Sequence, residues 1–581
     1  MDHGTHALRV GTVEEVKQHG PLVLSGGDRP LAIFYHQERL YAIDNRCPHL
    51  GFPLHRGTTQ DGILTCHWHH ARFDLASGCT FDLWADDVPS YPVEIRNGDV
   101  WVTVQSDGTG GQERWQRRLR EGMEQNLRLV QAKAVMGLLD GGAGPKAILT
   151  QAGLYGVQHR QAGWSSGMTI LTAMGNVLSA LSDHERMIPL YQGVLHVARD
   201  CENQPPQLLL QPLTTTSVSL ETLRRWLRRW VEVRDRDGAE RCALTALALG
   251  ASAADMTEML ITAATDHFYL DTGHTLDFIN KSFELLQHIG WEHASVVLPS
   301  VLGHLTTAER SEERNAWRHP VDLVPLVHDA CERLPKLLET GRDKPWHGTA
   351  ALVDTLLSDS PQEIITALCD SLRAGATPLD LARALVGAAC RRIVHFHTRN
   401  EFADWIAVLH TFTYSNALYQ ALQRAASPEM LRGVFHGAMR VYLDRFLNVP
   451  PAPIPVLPEL PDASGGVEAF PQQFLALLDT QQQVDAAGAM VYHYVTAGYP
   501  LAPLYRTLIT SLVREDADFH SFQMLEGALQ QHRVLGPTHE GHLMLVAAAR
   551  FLAAHAPTQR ELLQTATIAR RLHRGEALWE D

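Results

Sequence analysis

Cys47-Pro48-His49-Leu50-Gly51-Phe52 and, after sixteen residues that follow His49, Cys66-His67-Trp68-His69-His70-Ala71 form the stretch on which the reading of this chain turns. Each half pairs one thiol with one imidazole, spaced C-x-H and C-x-x-H. Zinc also accepts two cysteines and two histidines, but zinc-finger spacing puts the cysteines in one half and the histidines in the other. Both halves here are mixed. A mixed set suits a [2Fe–2S] cluster in which two thiolates hold one iron and two imidazoles hold the other. Cys47, His49, Cys66 and His69 are therefore the candidate cluster ligands, and the implied chemistry is the movement of single electrons. The spacing leaves His67 and His70 out of the set, as surface or supporting histidines.

The flanks carry a family resemblance. Cys47 to Gly51, and Trp68-His69 through Phe73-Asp74 to Gly78, resemble the two cluster-binding loops of the Rieske family. His70 stands where that family usually has glycine. High-potential members carry an extra, disulfide-linked cysteine in each loop, with a serine and a tyrosine after the second histidine. The corresponding positions here are Phe52, Trp68, Ala71 and Phe73. Without hydroxyl donors to the cluster sulfurs, the resemblance implies the low-potential ferredoxin and oxygenase type, at roughly −150 mV.

The chain beyond these loops sets further bounds. At 581 residues it exceeds a single core and reads as multidomain. Its net charge of −15 argues against nucleic acid or an anionic membrane as partner. No apolar run is long enough to span a bilayer, so a cytoplasmic location is expected. Cys79, Cys201, Cys242, Cys331, Cys369 and Cys390 are scattered without a disulfide framework, and thiolate ligands favour a reducing compartment.

Two fold classes follow one another along the sequence. Leu22–Leu24, Leu31–Tyr35, Leu40–Ile43 and Val100–Val104 read as strands, with Asn97-Gly98 a hairpin turn and Ser25-Gly26-Gly27-Asp28 another turn. Residues 1–105 are expected to form a small antiparallel β domain, and 106–112 a linker. From Glu113 the pattern becomes helical, as at Leu381, Ala382, Leu385, Val386 and Ala389. An all-α catalytic domain is expected over 113–449, a proline-rich connection over 450–468 and a C-terminal helical part over 469–581. Ring-hydroxylating Rieske oxygenases differ: their catalytic domain is mixed α/β, and no Asp-x-x-His-x-x-x-x-His motif occurs here.

Two histidine-bearing segments read as helices, Asp266 to His288 and His395 to His410. Each holds a His-x-x-x-Asp/Glu pair, His267 with Asp271 and His397 with Glu401. Four residues apart on one helix is roughly 6 Å along the axis, which lets an imidazole and a carboxylate converge on one metal or lets the carboxylate orient the imidazole. Surface ion pairs and hydrogen-bonded core histidines would give the same pattern. His274 lies about 10 Å from His267 on such an axis, and only a bend near Gly273 would bring both to one ion.

Tyr191 to Ala198, the His267 segment, His397 to Phe402 and Arg514 to His520 resemble the questin-oxidase-like family, all-helical non-heme-iron proteins that cleave aromatic rings oxidatively. The resemblance implies that His196, His267, His274, His397 and His410, with His520 as a further member, lie near iron. Lys281 continues the line of His267 and His274. It reads either as a snorkelling surface lysine or as a carbamylated ligand.

The combined expectation is a Rieske-type oxygenase. An external ferredoxin or NAD(P)H-dependent reductase would reduce the cluster, since no glycine-rich nucleotide fingerprint is present. The cluster would pass electrons, within one chain or between copies in a homo-oligomer, to a mononuclear non-heme iron that activates O₂ for attack on a small aromatic or apolar substrate. Asp271, Glu401 and Asp404 are the candidate carboxylates on that route, Glu401 first. The rival is an electron-transfer or redox-sensing module fused to a helical protein-binding scaffold.

Overall fold

In the computed structural model the described residues are 6–24, 30–104, 111–214, 217–454, 466–574, 576 and 578. The expected turn at 25–28, most of the linker at 106–112 and most of the proline-rich connection lie outside them. Gly111 and Gln112 already belong to a helix, Gly111–Glu124. The described residues form two compact units, one from the stretches up to Ile148 and from Glu561 on, the other from Leu149–Arg560.

The first unit is an antiparallel β domain whose described residues also form the helices Val13–His19, Gly111–Glu124, Arg128–Asp140 and Glu561–His573 and the start of Gly144–Gln158. Its sheets run His6–Thr12, Asp99–Val104, Val93–Arg96; then Leu22–Leu24, Leu31–His36, Arg39–Asp44, Ser90–Tyr91; then Thr58–Gln60, Ile63–Thr65, Arg72–Asp74. Strand Leu31–His36 is central because alternate side chains serve opposite cores. Leu31 and Ile33 join Val100 and Val102 on one side. Ala32 and Phe34 join Cys47, Leu64, Cys66 and Phe73 on the other. Asn97 and Gly98 both take positive φ, 53° and 85°, as a two-residue hairpin whose twist matches its strands requires.

Helices Gly111–Glu124 and Arg128–Asp140 pack on one another, and Glu561–His573 packs on the second. His573 meets Asp140 at 2.7 Å and Arg128 meets Glu561 at 3.5 Å. Arg118 and Lys133 reach back from these helices to the β domain, at 2.9 and 3.0 Å from the Asp86 carboxylate.

The second unit is helical among its described residues, and four helices form its centre: Ser166–Val177, His274–Ile289, Phe402–Arg424 and Phe519–Leu535. His274–Ile289 packs on the first and third of these, Phe519–Leu535 likewise, so these two lie diagonally across the core. Local chemistry fixes the ends. The Ser165 hydroxyl caps the Ser166 helix by accepting from the Met168 N–H, and the Asp518 carboxylate caps the Phe519 helix by accepting from the His520 N–H.

Both histidine-bearing segments depart from the expected continuous helices. The helix Ala253–Thr265 stops before Asp266, and the next begins at His274. Between them Tyr269, Asp271, Thr272 and Gly273 take φ of 41°, 45°, 54° and 100°, a conformation that a β-branched threonine adopts only under constraint. The loop at 309–312 supplies it: Asp271 exchanges hydrogen bonds with the Glu309 backbone, and the Ser311 hydroxyl donates to the Tyr269 carbonyl. In the other segment, Pro378–Val394 ends before His395 and Phe402–Arg424 starts after Glu401. His267 and Asp271, and likewise His397 and Glu401, are thus not neighbours on one helical face. No described helix is long and apolar enough to cross a membrane.

Candidate metal centres

The two Cys/His loops fold alike. Cys47 and Cys66 donate their N–H groups to the carbonyls of Phe52 and Ala71, both at 2.8 Å. Their carbonyls accept from the N–H four residues on, Gly51 at 2.7 Å and His70 at 3.0 Å. Closing the turn that way requires the left-handed region, where Gly51 has φ 85° and His70 φ 63°. That explains glycine as the usual family residue at position 70, and histidine is among the residues that tolerate this region.

Both thiols are buried, while His49 is half-buried and His69 exposed. The imidazole rings stand edge to face with centroids 4.6 Å apart, framed by Trp84 against His49 at 4.7 Å and Trp68 against His69 at 4.5 Å. The side-chain contact between the two thiols splits their ionisation, pushing Cys47 far up and holding Cys66 down at about 6; the pair titrates as one system. Burial, with His69 and Lys133 beside it, lowers His49 to about 4. Its Nδ1 is buried with no hydrogen-bond partner, a costly state for a polar atom. Two converging thiols and an orphaned imidazole nitrogen fit a [2Fe–2S] cluster. Phe52, Ala71 and Phe73 are buried and offer no hydroxyl to it. His67 lies outside the set, bonded to the Thr58 hydroxyl.

Sequence reasoning missed Lys133. Only 6 % exposed, it donates both to the Pro48 carbonyl, between the two ligands of the first loop, and to Asp86 at 3.0 Å. Burial alone would raise the Asp86 carboxyl, but Lys133 and Arg118 outweigh it and hold it low. A fixed cation at the loop favours the reduced cluster. The Lys133→Met variant, which leaves Asp86 paired with Arg118, is expected to lower the cluster potential by on the order of 59 mV, a tenfold shift for one electron. A spectroscopic redox titration reads this directly, and an unchanged potential would contradict it.

In the helical unit three of the proposed histidines come together. His274, His410 and His520 have ligand nitrogens all within 4.8 Å of one another, and Nε2 of His410 lies 3.0 Å from Nε2 of His520. Each comes from a different central helix. Asp518 accepts from Nδ1 of His520 at 2.5 Å, which turns Nε2 toward the other rings. Burial first, then the neighbouring histidines, lowers His274 to about 4 and His410 to about 2. Neutral imidazoles are the form that binds metal. His274 and His520, two of the trio, line a cavity of about 450 Å³ together with Phe278, Phe519, Asp271, Thr272 and His304 among others. His304, absent from the sequence reading, is held by the Trp164 carbonyl at 2.7 Å and packs on Phe278.

The other proposed residues lie elsewhere. His267 is clamped by two carboxylates, Glu312 at 2.9 Å and Glu232 at 3.0 Å, so both ring nitrogens are used. His397 accepts from the Arg399 N–H in a turn. His196 packs edge-on against Phe522 at 5.7 Å, outside the trio. Glu401 is exposed at the start of its helix, where Asp404 accepts from its N–H at 3.2 Å. The two sit about 13 and 9 Å along that axis from His410. Asp271 does line the cavity, but its oxygens accept from the Glu309 N–H and the Thr275 hydroxyl. Lys281 neither snorkels nor approaches the trio; it is 1 % exposed and paired with Glu284 and Glu526.

Comparison with known proteins bears on the β domain. Residues 6–92 match the Rieske [2Fe-2S] domain family. The human Rieske domain-containing protein is 36% identical over 119 residues, which are 17% of this chain and 74% of that protein. The 3-phenylpropionate/cinnamic acid dioxygenase ferredoxin subunit of Photorhabdus laumondii is 30% identical over 102 residues, 17% of this chain and 96% of the subunit. Among solved structures, the Sphingomonas yanoikuyae B1 ferredoxin is 27% identical and wholly covered by 18% of this chain, with a TM-score of 0.16.

Proposed function

Since the chain belongs to the Rieske [2Fe-2S] family through its N-terminal domain, we propose that it is an oxidoreductase in which electrons pass from that domain to an iron held by His274, His410 and His520, for oxidation of an aromatic or other apolar substrate with O₂. The observation that carries the reading is the convergence of three imidazoles from three helices, at least two of them held neutral and two, His274 and His520, lining a cavity.

When bound, the cluster is a one-electron carrier, and an iron on three imidazoles keeps positions open for O₂ and substrate. Cys47 and Cys66 would take the buried side of the cluster, and His49 and His69 the outer side from which electrons leave. Phe278 and Phe519 give the cavity apolar walls suited to a ring or alkyl chain. Ser166, Glu309 and Arg314 also line it with polar groups, and Asp271 and Thr272 give it a further polar edge. The strained turn that carries them is locked by the 309–312 loop, so this edge is rigid before any substrate arrives. Asp518 fixes the tautomer and direction of His520. The electrons themselves would come from a separate reductase or ferredoxin.

Iron stoichiometry tests the reading. Purified protein supplied with iron and sulfide is expected to hold a third iron beyond the two that accompany the acid-labile sulfide of the cluster. Two irons only, with no other transition metal, would leave the helical unit as a scaffold and sink the proposal.

A further inference from the structure

A second cavity, of about 410 Å³, lies within the first unit, against the loop that carries Cys47 and Pro48. His49, Cys66 and His69 are not among its lining residues, so it is not the seat of the cluster. Its volume falls within the range of small-molecule sites. Helix Gly111–Glu124 contributes Arg114 and Trp115 to its wall, helix Arg128–Asp140 contributes Lys133, and Arg574 follows directly on Glu561–His573.

The carboxylates in this wall already have donors. Asp44 accepts from Nε and Nη2 of Arg46 at 3.0 and 2.7 Å, and Asp86 accepts from Arg118 and Lys133 at 2.9 and 3.0 Å. Asp87 accepts from the Thr80 N–H at 2.9 Å, and Glu576 from Arg571 at 3.1 Å. Two cations are less well served. Buried Lys133 gives one N–H to the Pro48 carbonyl and one to Asp86. An ammonium carries three, and the third has no acceptor among the described residues. Arg114 donates Nη2 to the Asp87 carbonyl at 3.2 Å and lies over the Trp115 ring, 5.3 Å from its centroid. Its Nε is buried with no hydrogen-bond partner, a costly state. With Arg118 also holding Glu121 at 2.6 Å, pairing off these contacts leaves Arg114 and Arg574 balanced by Asp87 alone. The cavity is therefore a cationic spot in a chain of net charge −15.

We propose that this cavity binds a small organic oxyanion, a phosphomonoester or a carboxylate, on Lys133 and Arg114, and that the bound anion adjusts the potential of the cluster. Ammonium and guanidinium groups hold such heads through charge-assisted hydrogen bonds, and these two side chains have donors to spare. Trp115, Pro89 and Leu572 give an apolar wall for the rest of the molecule. The coupling is electrostatic. Lys133 holds the carbonyl that lies between Cys47 and His49, so a negative charge placed on it opposes the electron that enters the cluster. By linkage, reduction weakens binding of the anion by the factor by which the anion disfavours reduction. No bond is made or broken, and the iron of the histidine cavity plays no part.

The test uses full-length protein carrying the cluster, titrated by calorimetry with phenyl phosphate and separately with benzoate, the tighter of the two identifying the head group. Binding at a single site is expected, weaker by about tenfold in Arg114→Gln and in Lys133→Met, each checked for an intact cluster spectrum. Saturation of the wild type with the tighter probe is expected to lower the cluster potential by about 59 mV, the equivalent of tenfold weaker binding to the reduced form. A wild type that binds neither probe at millimolar concentration overturns the site, even if the variants do not fold. So does binding that both variants retain at wild-type strength. A bound probe that leaves the potential where it was overturns the coupling to the cluster.

Discussion

His410→Ala is expected to strip the third iron from the protein while leaving the cluster irons, their visible spectrum and their potential untouched. The nitrogen removed is the one nearest both other rings, 3.0 Å from His520 and with its ring centroid 4.4 Å from that of His274. Two histidines on separate helices cannot close a site for a transition metal alone. The affinity loss should exceed the roughly 10–100-fold that removal of a supporting partner such as Asp518 would bring. Asp518→Asn is the graded control, since it still caps its helix while weakening the hold on Nδ1 of His520. Consumption of O₂ driven by an external reductant should vanish in the alanine variant. Iron retained at the wild-type level in His410→Ala would rule out the trio as the site.

Lys281→Met is expected to destabilise the helical unit by about 3–5 kcal/mol, the cost of leaving buried carboxylates without their cation. The loss is measured as a shift in the denaturant midpoint of that unit's transition. The pH dependence has a definite sign. Burial would raise the Glu284 carboxyl, but Lys281 and Arg424 outweigh it and hold it below its ordinary value. Its contribution is therefore present above the unfolded carboxylate pKa and is lost as pH falls through the lower folded value. Without Lys281 the folded carboxyls rise instead, so the variant regains stability relative to wild type as the solution is made more acidic. A variant whose deficit grew with acidity would contradict this account.

The sequence and the structure agree where ligands are local and part company where they are not. The cluster loops could be read because each half carries its thiol and imidazole within four residues, and the β class because strands such as Leu31–His36 alternate between two cores. The histidine trio could not be read from spacing, since each helix supplies a single member. Family resemblance brought those three residues forward together with His196, His267 and His397, which the fold keeps apart. The expected pairs failed for a backbone reason. Gly273 hinted at a bend, but left-handed Asp271 and Thr272 depend on the 309–312 loop, which no local pattern announces. Glu401 and Asp404 looked like carboxylates facing a metal and instead cap the start of a helix. The partner that decides the role of Lys281, Glu526, lies 245 residues away in sequence.

The first unit borrows its Glu561–His573 helix from beyond the whole helical unit, and this has a consequence for biosynthesis. Some four hundred residues separate Asp140 from Glu561. At a synthesis rate of about 5–20 residues per second, the ribosome needs roughly 20–80 s to cover that distance. For that interval the face of Arg128–Asp140 that receives the returning helix is bare, with Asp140 waiting for His573. The strands emerge early, yet the unit around the cluster loops is completed only after the helical unit has been translated, so its maturation is timed by a segment far downstream.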